Sequence, residues 1–319
     1  MHGVEGFIYP NELELQWSVL IVLYPYLTGL VAGAFILASL ERVFNVAAVK
    51  PTYRLALLTA LAFLIVAPLP LQMHLGHPER AWRAIAMWRT SWLSREVIVL
   101  PVFMAMVALH GVCHFSGNVS CVAITGLAAA ILCLALFYIT AMNYVCIKFL
   151  QEWATPLTIV NYTLLGCASG FTLATALAAA LEPALAPALA RWALNLTLAA
   201  AATRIASLLR NARLKPKSSL QSAIGMQNPR IVQKSQGFMG GSFNTREYFH
   251  GKTRQLVQSV KWGFLLLAFA IPAWLLATGA SGQYAALAFV IQYIGLVAER
   301  WFFFAQARHP QNLYYQAAS

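Results

Sequence analysis

The stretch from Ala67 to Glu96, APLPLQMHLGHPERAWRAIAMWRTSWLSRE, holds residues that could carry out proton chemistry. Pro68, Pro70, Gly76 and Pro78 interrupt it near the end of an apolar run that finishes at His74, and the next apolar run begins after Glu96. Irregular backbone at membrane depth is tolerated only where protein buries it or a wet cavity adjoins it. Because the chain returns between the two runs, His74 and Glu96 can come together, and ionisable residues at the edge of hydrocarbon indicate a functional site.

Quinone redox is the chemistry that suits such a pair, because two protons accompany the two electrons that reduce a quinone. A histidine with an ordinary pKa of about 6.5 can hydrogen-bond a quinone carbonyl and exchange a proton with it. Glu96 could relay that proton to water, and we predict Arg80 and Trp92 as walls of the pocket. Each residue alone has a simpler explanation: Glu96 could pair with a nearby arginine, and His74 could snorkel at the interface.

Two further sets of polar residues could contribute to a site. His110 and His114 lie four residues apart on one helix face. Haem b needs ligands at matching depth, usually from facing helices, so we expect interfacial histidines and no haem. The end of a later apolar run carries polar residues that could line the pocket of His74 or could form only a polar helix end: Asn143, Tyr144, Lys148, Gln151 and Glu152.

The composition predicts a membrane protein. Of 319 residues, 60% are hydrophobic and 10% are charged, whereas a typical soluble domain carries about 25% charged residues. All ten acidic residues are glutamates, which excludes aspartate-based metal motifs such as the EF-hand loop. The five cysteines form no C-x-x-C pair, and four lie in apolar runs, where cysteine behaves as a small hydrophobe. We therefore expect no metal site in this chain.

Eight apolar runs of about 20 residues predict eight transmembrane helices in an all-α, polytopic bundle, with residues 1–319 forming a single membrane domain. The acidic N-terminus lacks the basic region of a secretory signal, so we expect the first span to be retained. The predicted spans are approximately 17–40, 53–74, 97–115, 121–144, 157–181, 186–209, 260–278 and 283–304.

The basic residues predict the orientation of the bundle. If the N-terminus is cytoplasmic, the segments 75–96, 145–156 and 204–261 and the C-terminal tail hold 18 of the 22 basic residues. This asymmetry satisfies the positive-inside rule, to which glutamates contribute little. Both termini are therefore predicted to be cytoplasmic, with 75–96 as an interfacial loop near the quinone site.

One connection, residues 210–259, is long. Loops of this length without apolar periodicity are usually disordered or functional. This loop carries aromatic residues among glycines, which a merely solvated linker does not need. We predict that it docks another subunit, and a polybasic loop lying on anionic headgroups is the alternative. The predicted docking residues are Phe238, Phe243, Arg246 and Tyr248.

Four blocks of this sequence resemble the membrane anchors of the dimethyl sulfoxide reductase family, which is related to the membrane subunits of polysulfide- and nitrite-reductase type. The resemblance covers nearly the whole chain and is greatest to the branch that serves cytoplasmic sulfite-oxidising enzymes. The blocks are HLGHPERAWRAIAMWRTSWLSRE (74–96), TAMNYVCIKFLQEWATPLT (140–158), SSLQSAIGMQNPRIVQKSQGFMGGSFNTREYFHG (218–251) and AERWFFFAQARHPQNLYYQ (298–316).

This resemblance implies an eight-helix anchor without its own haem or iron–sulfur cluster. Such an anchor joins a molybdopterin catalytic subunit and an iron–sulfur subunit to the pool of ubiquinone or menaquinone in the bacterial inner membrane. His74 and Glu96 match the family's histidine and glutamate in the quinone region. His77 replaces the small or polar residue that usually follows His-Leu-Gly, which leaves its role in proton handling open.

The expected function is therefore transfer of electrons from the iron–sulfur subunit to quinone during oxidation of sulfite to sulfate, with the molybdenum chemistry in another chain. One alternative is an anchor that oxidises quinol to reduce a sulfoxide-type acceptor. A proton-coupled secondary transporter is a rival from another class, but transporters often show paired broken helices, and the second half of this chain has no such break. A structural tether without a quinone site is the remaining alternative.

Overall fold

The computed structural model describes residues 77–181, 183–215, 217, 219–228, 230–231, 253–278 and 282–307. Both termini and the first two predicted spans lie outside this part of the chain, as do His74 and the four predicted docking residues. Within the described residues the secondary structure is helical, without a strand.

A 3₁₀ helix at Pro78–Met87 precedes the first described long helix. A π-helical turn at Leu266–Ala270 connects two of the later α-helices into one continuous rod. The α-helices are α1 (Trp92–Phe115), α2 (Val119–Val145), α3 (Pro156–Leu181), α4 (Ala186–Ala212), α5 (Leu220–Ile224), α6 (Arg254–Leu265), α7 (Ile271–Thr278) and α8 (Gly282–Ala305).

Six helical rods are long and apolar enough to cross a membrane: α1, α2, α3, α4, the α6–α7 rod and α8. They coincide with the last six predicted spans. Ser91 begins α1 and Asn118 begins α2, each by accepting a hydrogen bond from a backbone N–H three residues later. Such caps satisfy N–H groups that the helix itself leaves free.

Successive helices pack in the order in which the chain makes them. α1 lies against α2, α2 against α3, and α3 against α4, while α8 packs on α3 and on the α6–α7 rod. At Gly295 of α8 an added Cβ would come within 2.2 Å of the backbone nitrogen of Ala268. This contact of two backbones requires glycine, because any larger residue would push α8 away from the π-helical turn.

Several helices extend beyond their predicted ends. α1 begins at Trp92, so Glu96 lies in its second turn, and α4 continues to Ala212. Arg204 and Arg300, counted with the predicted cytoplasmic segments, lie inside α4 and α8 and are buried. Removing these two leaves 16 of the 18 residues on that side, so the asymmetry survives. The predicted loop 210–259 contains α5 and the first residues of α6.

The expectation that the cysteines are only small hydrophobes is wrong for two of them. Cys113 and Cys121 form a disulfide that joins the end of α1 to the start of α2, with the Cα atoms 5.7 Å apart. The pattern of apolar residues does not reveal this bond. The two cysteines come together only because the chain reverses in the short turn after α1.

Candidate functional site

Glu96 is the centre of a buried polar cluster between α1 and α2. Its side chain is 4% exposed. The carboxylate accepts a hydrogen bond from the hydroxyl of Thr140, at 2.7 Å, and another from the amide of Asn143. Thr140 and Asn143 lie three residues apart, so one face of α2 presents both donors. A carboxylate held by neutral donors can accept a proton from one side and release it to another.

Trp92 lies one helical turn before Glu96 and forms part of the same end of the bundle. Its indole meets the ring of Tyr138 edge to face, with the centroids 5.7 Å apart. The guanidinium of Arg95 lies 4.1 Å from the centroid of Trp92 and donates hydrogen bonds to the carbonyls of Trp88 and Arg89. These contacts fix the turn that delivers the chain into α1. We call this end of the bundle the Glu96 end.

Arg80 and His77 lie outside this cluster, in and before the 3₁₀ helix. Glu79 contacts both of them: its Oε1 is 3.0 Å from His77 Nδ1 and 3.7 Å from Arg80 Nε. The three side chains are more than half exposed. The structure therefore brings Trp92 close to Glu96 along α1 and places Arg80 in an exposed ion pair with Glu79.

A second buried group at the Glu96 end surrounds Arg300 of α8 with aromatic rings. Its guanidinium carbon lies 4.2 Å from the centroid of Tyr162 and 4.7 Å from that of Phe303. Tyr144 stacks on Tyr162 at 5.8 Å and follows directly after Asn143, which binds Glu96. Arg300 is 3% exposed. The faces of aromatic rings stabilise a cation by their quadrupoles, and a positive charge is thereby held close to the Glu96 cluster.

Next to this group, Arg204 of α4 and Glu299 of α8 form a buried ion pair. The nitrogen Nε of Arg204 lies 2.7 Å from Oε1 of Glu299, and both side chains are 2% exposed. The ring of Phe264 lies 5.6 Å from the guanidinium carbon. Buried charges are paired in proteins because removing a lone ion from water costs several kcal/mol. This pair joins α4, which precedes the predicted docking loop in sequence, to α8, the last described helix.

The connections at the Glu96 end are tied to one another. Trp153, between α2 and α3, is buried and donates from its indole N–H to the carbonyl of Phe303, at 2.9 Å. Arg210 donates to the carbonyl of Gln151 at 3.1 and 3.2 Å. Side-chain hydrogen bonds therefore tie the end of α4, where the predicted docking loop begins, to the connection between α2 and α3.

The sequence missed several members of these clusters. Asn143 and Tyr144 were predicted as possible pocket residues, and Asn143 does reach Glu96. Thr140, Arg204, Glu299 and Arg300 were not predicted. The sequence did contain a signal for Arg204, Glu299 and Arg300, because charged residues inside apolar spans usually mark function or specific pairing. Trp153, which directly follows the predicted polar residues in sequence, is buried as well.

His110 and His114 lie near the opposite end of α1. His110 is 2% exposed, with its Nδ1 3.0 Å from the hydroxyl of Thr125 in α2. An added Cβ at Gly126 would meet the ring at 3.2 Å, so α2 packs directly against it. The ring of His114 contacts that of Phe115. His110 is therefore buried in the contact between α1 and α2.

Comparisons with known proteins confirm the resemblance. The family model described as DMSO reductase anchor subunit (DmsC) matches residues 14–301. The chain is 48% identical over 282 residues to a sulfite dehydrogenase subunit of Allochromatium vinosum, which covers 84% of this chain and 87% of the relative. It is 36% identical over 93 residues to a selenate reductase subunit of Mesobacillus selenatarsenatis, over 29% of this chain and 22% of the relative. This chain therefore belongs to the family of DMSO reductase anchor subunits.

Proposed function

We propose that this chain is the quinone-reactive membrane anchor of a sulfite-oxidising complex. An iron–sulfur subunit passes electrons to quinone at the Glu96 end, and a molybdopterin subunit oxidises sulfite to sulfate. The observation that carries the proposal is the 48% identity, over most of both chains, to a protein named as a subunit of sulfite dehydrogenase. The buried Glu96 cluster supports the quinone part, because a carboxylate with two fixed donors is a place to hold a proton inside the bundle.

Quinone is a substrate of the proposed reaction, and the residues at the Glu96 end fit it. Reduction consumes two protons, which Glu96 and His74 supply from the cytoplasmic side. Trp92 offers an apolar wall one turn from Glu96. The aromatic rings keep Arg300 buried and charged, so negative charge brought by electrons is stabilised near the carboxylate. Thr140 and Asn143 orient Glu96 throughout, because both belong to one rigid helix.

Quinol oxidation coupled to reduction of an acceptor is the second candidate. The shorter match to a protein named as a subunit of selenate reductase favours it. The match spans less than a third of this chain, whereas the match to the sulfite dehydrogenase protein spans 84%. We therefore propose electron flow toward quinone. A secondary transporter is disfavoured because the chain belongs to a family of anchors.

The docking loop provides a test of the anchor proposal. Replacing both Phe243 and Arg246 with alanine should release most of the iron–sulfur and molybdopterin subunits from membranes, because aromatic and arginine residues dominate interface energetics and each can contribute about 2 kcal/mol or more. The measurement is the iron and molybdenum content of washed membranes. Replacing Arg191 and Trp192 with alanine is the matched control, since both are exposed at the opposite end of α4. Retention of both metals at the wild-type level would indicate that the loop binds lipid.

Sidedness is a separate prediction. With the Glu96 end in the cytoplasm, a cysteine introduced at Ser242 should resist a membrane-impermeant maleimide in intact cells and react after permeabilisation. A cysteine at Ala184, exposed in the turn between α3 and α4, should show the opposite behaviour. Labelling at Ser242 from outside would contradict both the orientation and the cytoplasmic location of the partner subunits.

A further inference from the structure

The disulfide between Cys113 and Cys121 lies far from the Glu96 end. Cys113 is 17 residues after Glu96 in the same helix, which at about 1.5 Å per residue places it about 25 Å away. Cys146, by contrast, ends α2 at the Glu96 end and is a free, exposed thiol. One end of the described bundle thus carries a disulfide, and the other carries a thiol and most of the basic residues of the described chain.

The turn between α1 and α2 positions the two cysteines by hydrogen bonds that do not involve sulfur. The hydroxyl of Ser116 donates to the carbonyl of Cys113 at 2.9 Å. The side chain of Asn118 accepts from the N–H of Cys121 at 3.0 Å. Gly117 has a positive φ of 74°, which lets the turn close in this form. The resulting Cα separation of 5.7 Å falls in the range of about 4.4–6.8 Å that a disulfide spans.

We propose that Cys113 and Cys121 form a structural disulfide in the mature protein and that the turn between α1 and α2 therefore faces the oxidising side of the membrane. Disulfides persist in the bacterial periplasm and are rare in the reducing cytoplasm. Consecutive spans alternate in direction, so this placement puts the Glu96 end and the docking loop on the cytoplasmic side. It reaches the orientation from thiol chemistry, without using the basic residues.

Formation of the bond needs an electron acceptor, which is a protein disulfide of an exported thiol oxidoreductase. The thiolate of Cys121, the more accessible of the two, attacks that disulfide. The S–S bond of the oxidoreductase breaks, and a mixed disulfide forms. The thiolate of Cys113 then attacks the sulfur of Cys121 and displaces the second thiolate of the oxidoreductase. Two protons and two electrons leave the cysteine pair, and the oxidoreductase becomes a dithiol.

Counting thiols tests the bond in the complete complex. Cells are quenched in acid, and the denatured protein is labelled with a polyethylene-glycol maleimide before and after reduction. We expect three labels before reduction, on Cys133, Cys146 and Cys167, and five after it. Cys113→Ser should give four labels without reduction, because it frees Cys121. The control Cys146→Ser should lose one label in both conditions. Five labels on the unreduced wild-type protein would overturn the proposal.

A second experiment tests the face. In a protein with Cys113→Ser and Cys121→Ser, a cysteine placed at the exposed Ser116 reports the turn, and native Cys146 reports the Glu96 end. An impermeant maleimide should label Ser116→Cys in intact cells and Cys146 only after permeabilisation. The reverse pattern would overturn the placement. The disulfide goes beyond the proposed function, and neither experiment depends on quinone. Failure of the proposed quinone function would instead appear as unchanged quinone-linked rates in variants of His74 and Glu96.

Discussion

Replacing His74 with leucine should abolish transfer of electrons from sulfite to quinone while the complex still assembles. The imidazole is predicted to hydrogen-bond the quinone and to exchange a proton with it, and proton transfer by a positioned side chain is worth about 10²- to 10⁴-fold in rate. We therefore expect a loss of at least about 100-fold in sulfite-dependent reduction of a soluble quinone analogue. Sulfite oxidation with an artificial soluble acceptor should stay at the wild-type rate, because the lesion lies after the molybdenum chemistry.

Glu96→Gln should slow the same step less, by about tenfold, if water substitutes as the proton relay. Two matched controls exist in the described structure. His77→Leu removes an exposed imidazole that contacts Glu79, and Glu79→Gln removes an exposed carboxylate from the 3₁₀ helix. Both should keep quinone-linked turnover close to wild type. Equal quinone-linked rates in wild type and His74→Leu, with the complex intact, would remove His74 from the mechanism. Slow quinone-linked turnover in His77→Leu would assign the proton transfer to His77 instead.

Breaking the pair between Arg204 and Glu299 should destabilise the bundle strongly. Glu299→Ala leaves a guanidinium that is 2% exposed without the carboxylate that lies 2.7 Å away. Removing one partner of a buried ion pair typically costs about 3–5 kcal/mol. We expect the free energy of unfolding, measured by denaturant titration in mixed micelles, to fall by about that amount, with less protein in membranes.

Two further variants separate the ion pair from packing alone. The double substitution Arg204→Met with Glu299→Met should recover most of the stability, because replacing a whole buried pair by apolar residues of similar size is often neutral. Arg191→Ala, which changes an exposed arginine of the same helix, should stay close to wild type. A single Glu299→Ala protein as stable as wild type would show that Arg204 is stabilised by its other surroundings.

The amino-acid sequence by itself determined the class of fold. Each backbone polar group must be satisfied within a span, so about 20 apolar residues in a row already specify a membrane helix. For this reason the last six predicted spans match the described helices to within a few residues at most ends. The predicted quinone pair came from the same kind of local signal, because broken backbone and ionisable residues are visible in a short stretch. The family followed from motifs that are contiguous in sequence.

Tertiary structure alone decided which polar residues meet. Glu96 and its donors are 44 and 47 residues apart, and Arg204 meets Glu299 across 95 residues. No local pattern encodes such pairs, because they depend on the rotation of each helix about its axis and on which helices become neighbours. The disulfide is the short-range case of the same rule. Cys113 and Cys121 are eight residues apart, yet their bond depends on a turn that reverses the chain and brings the ends of two helices together.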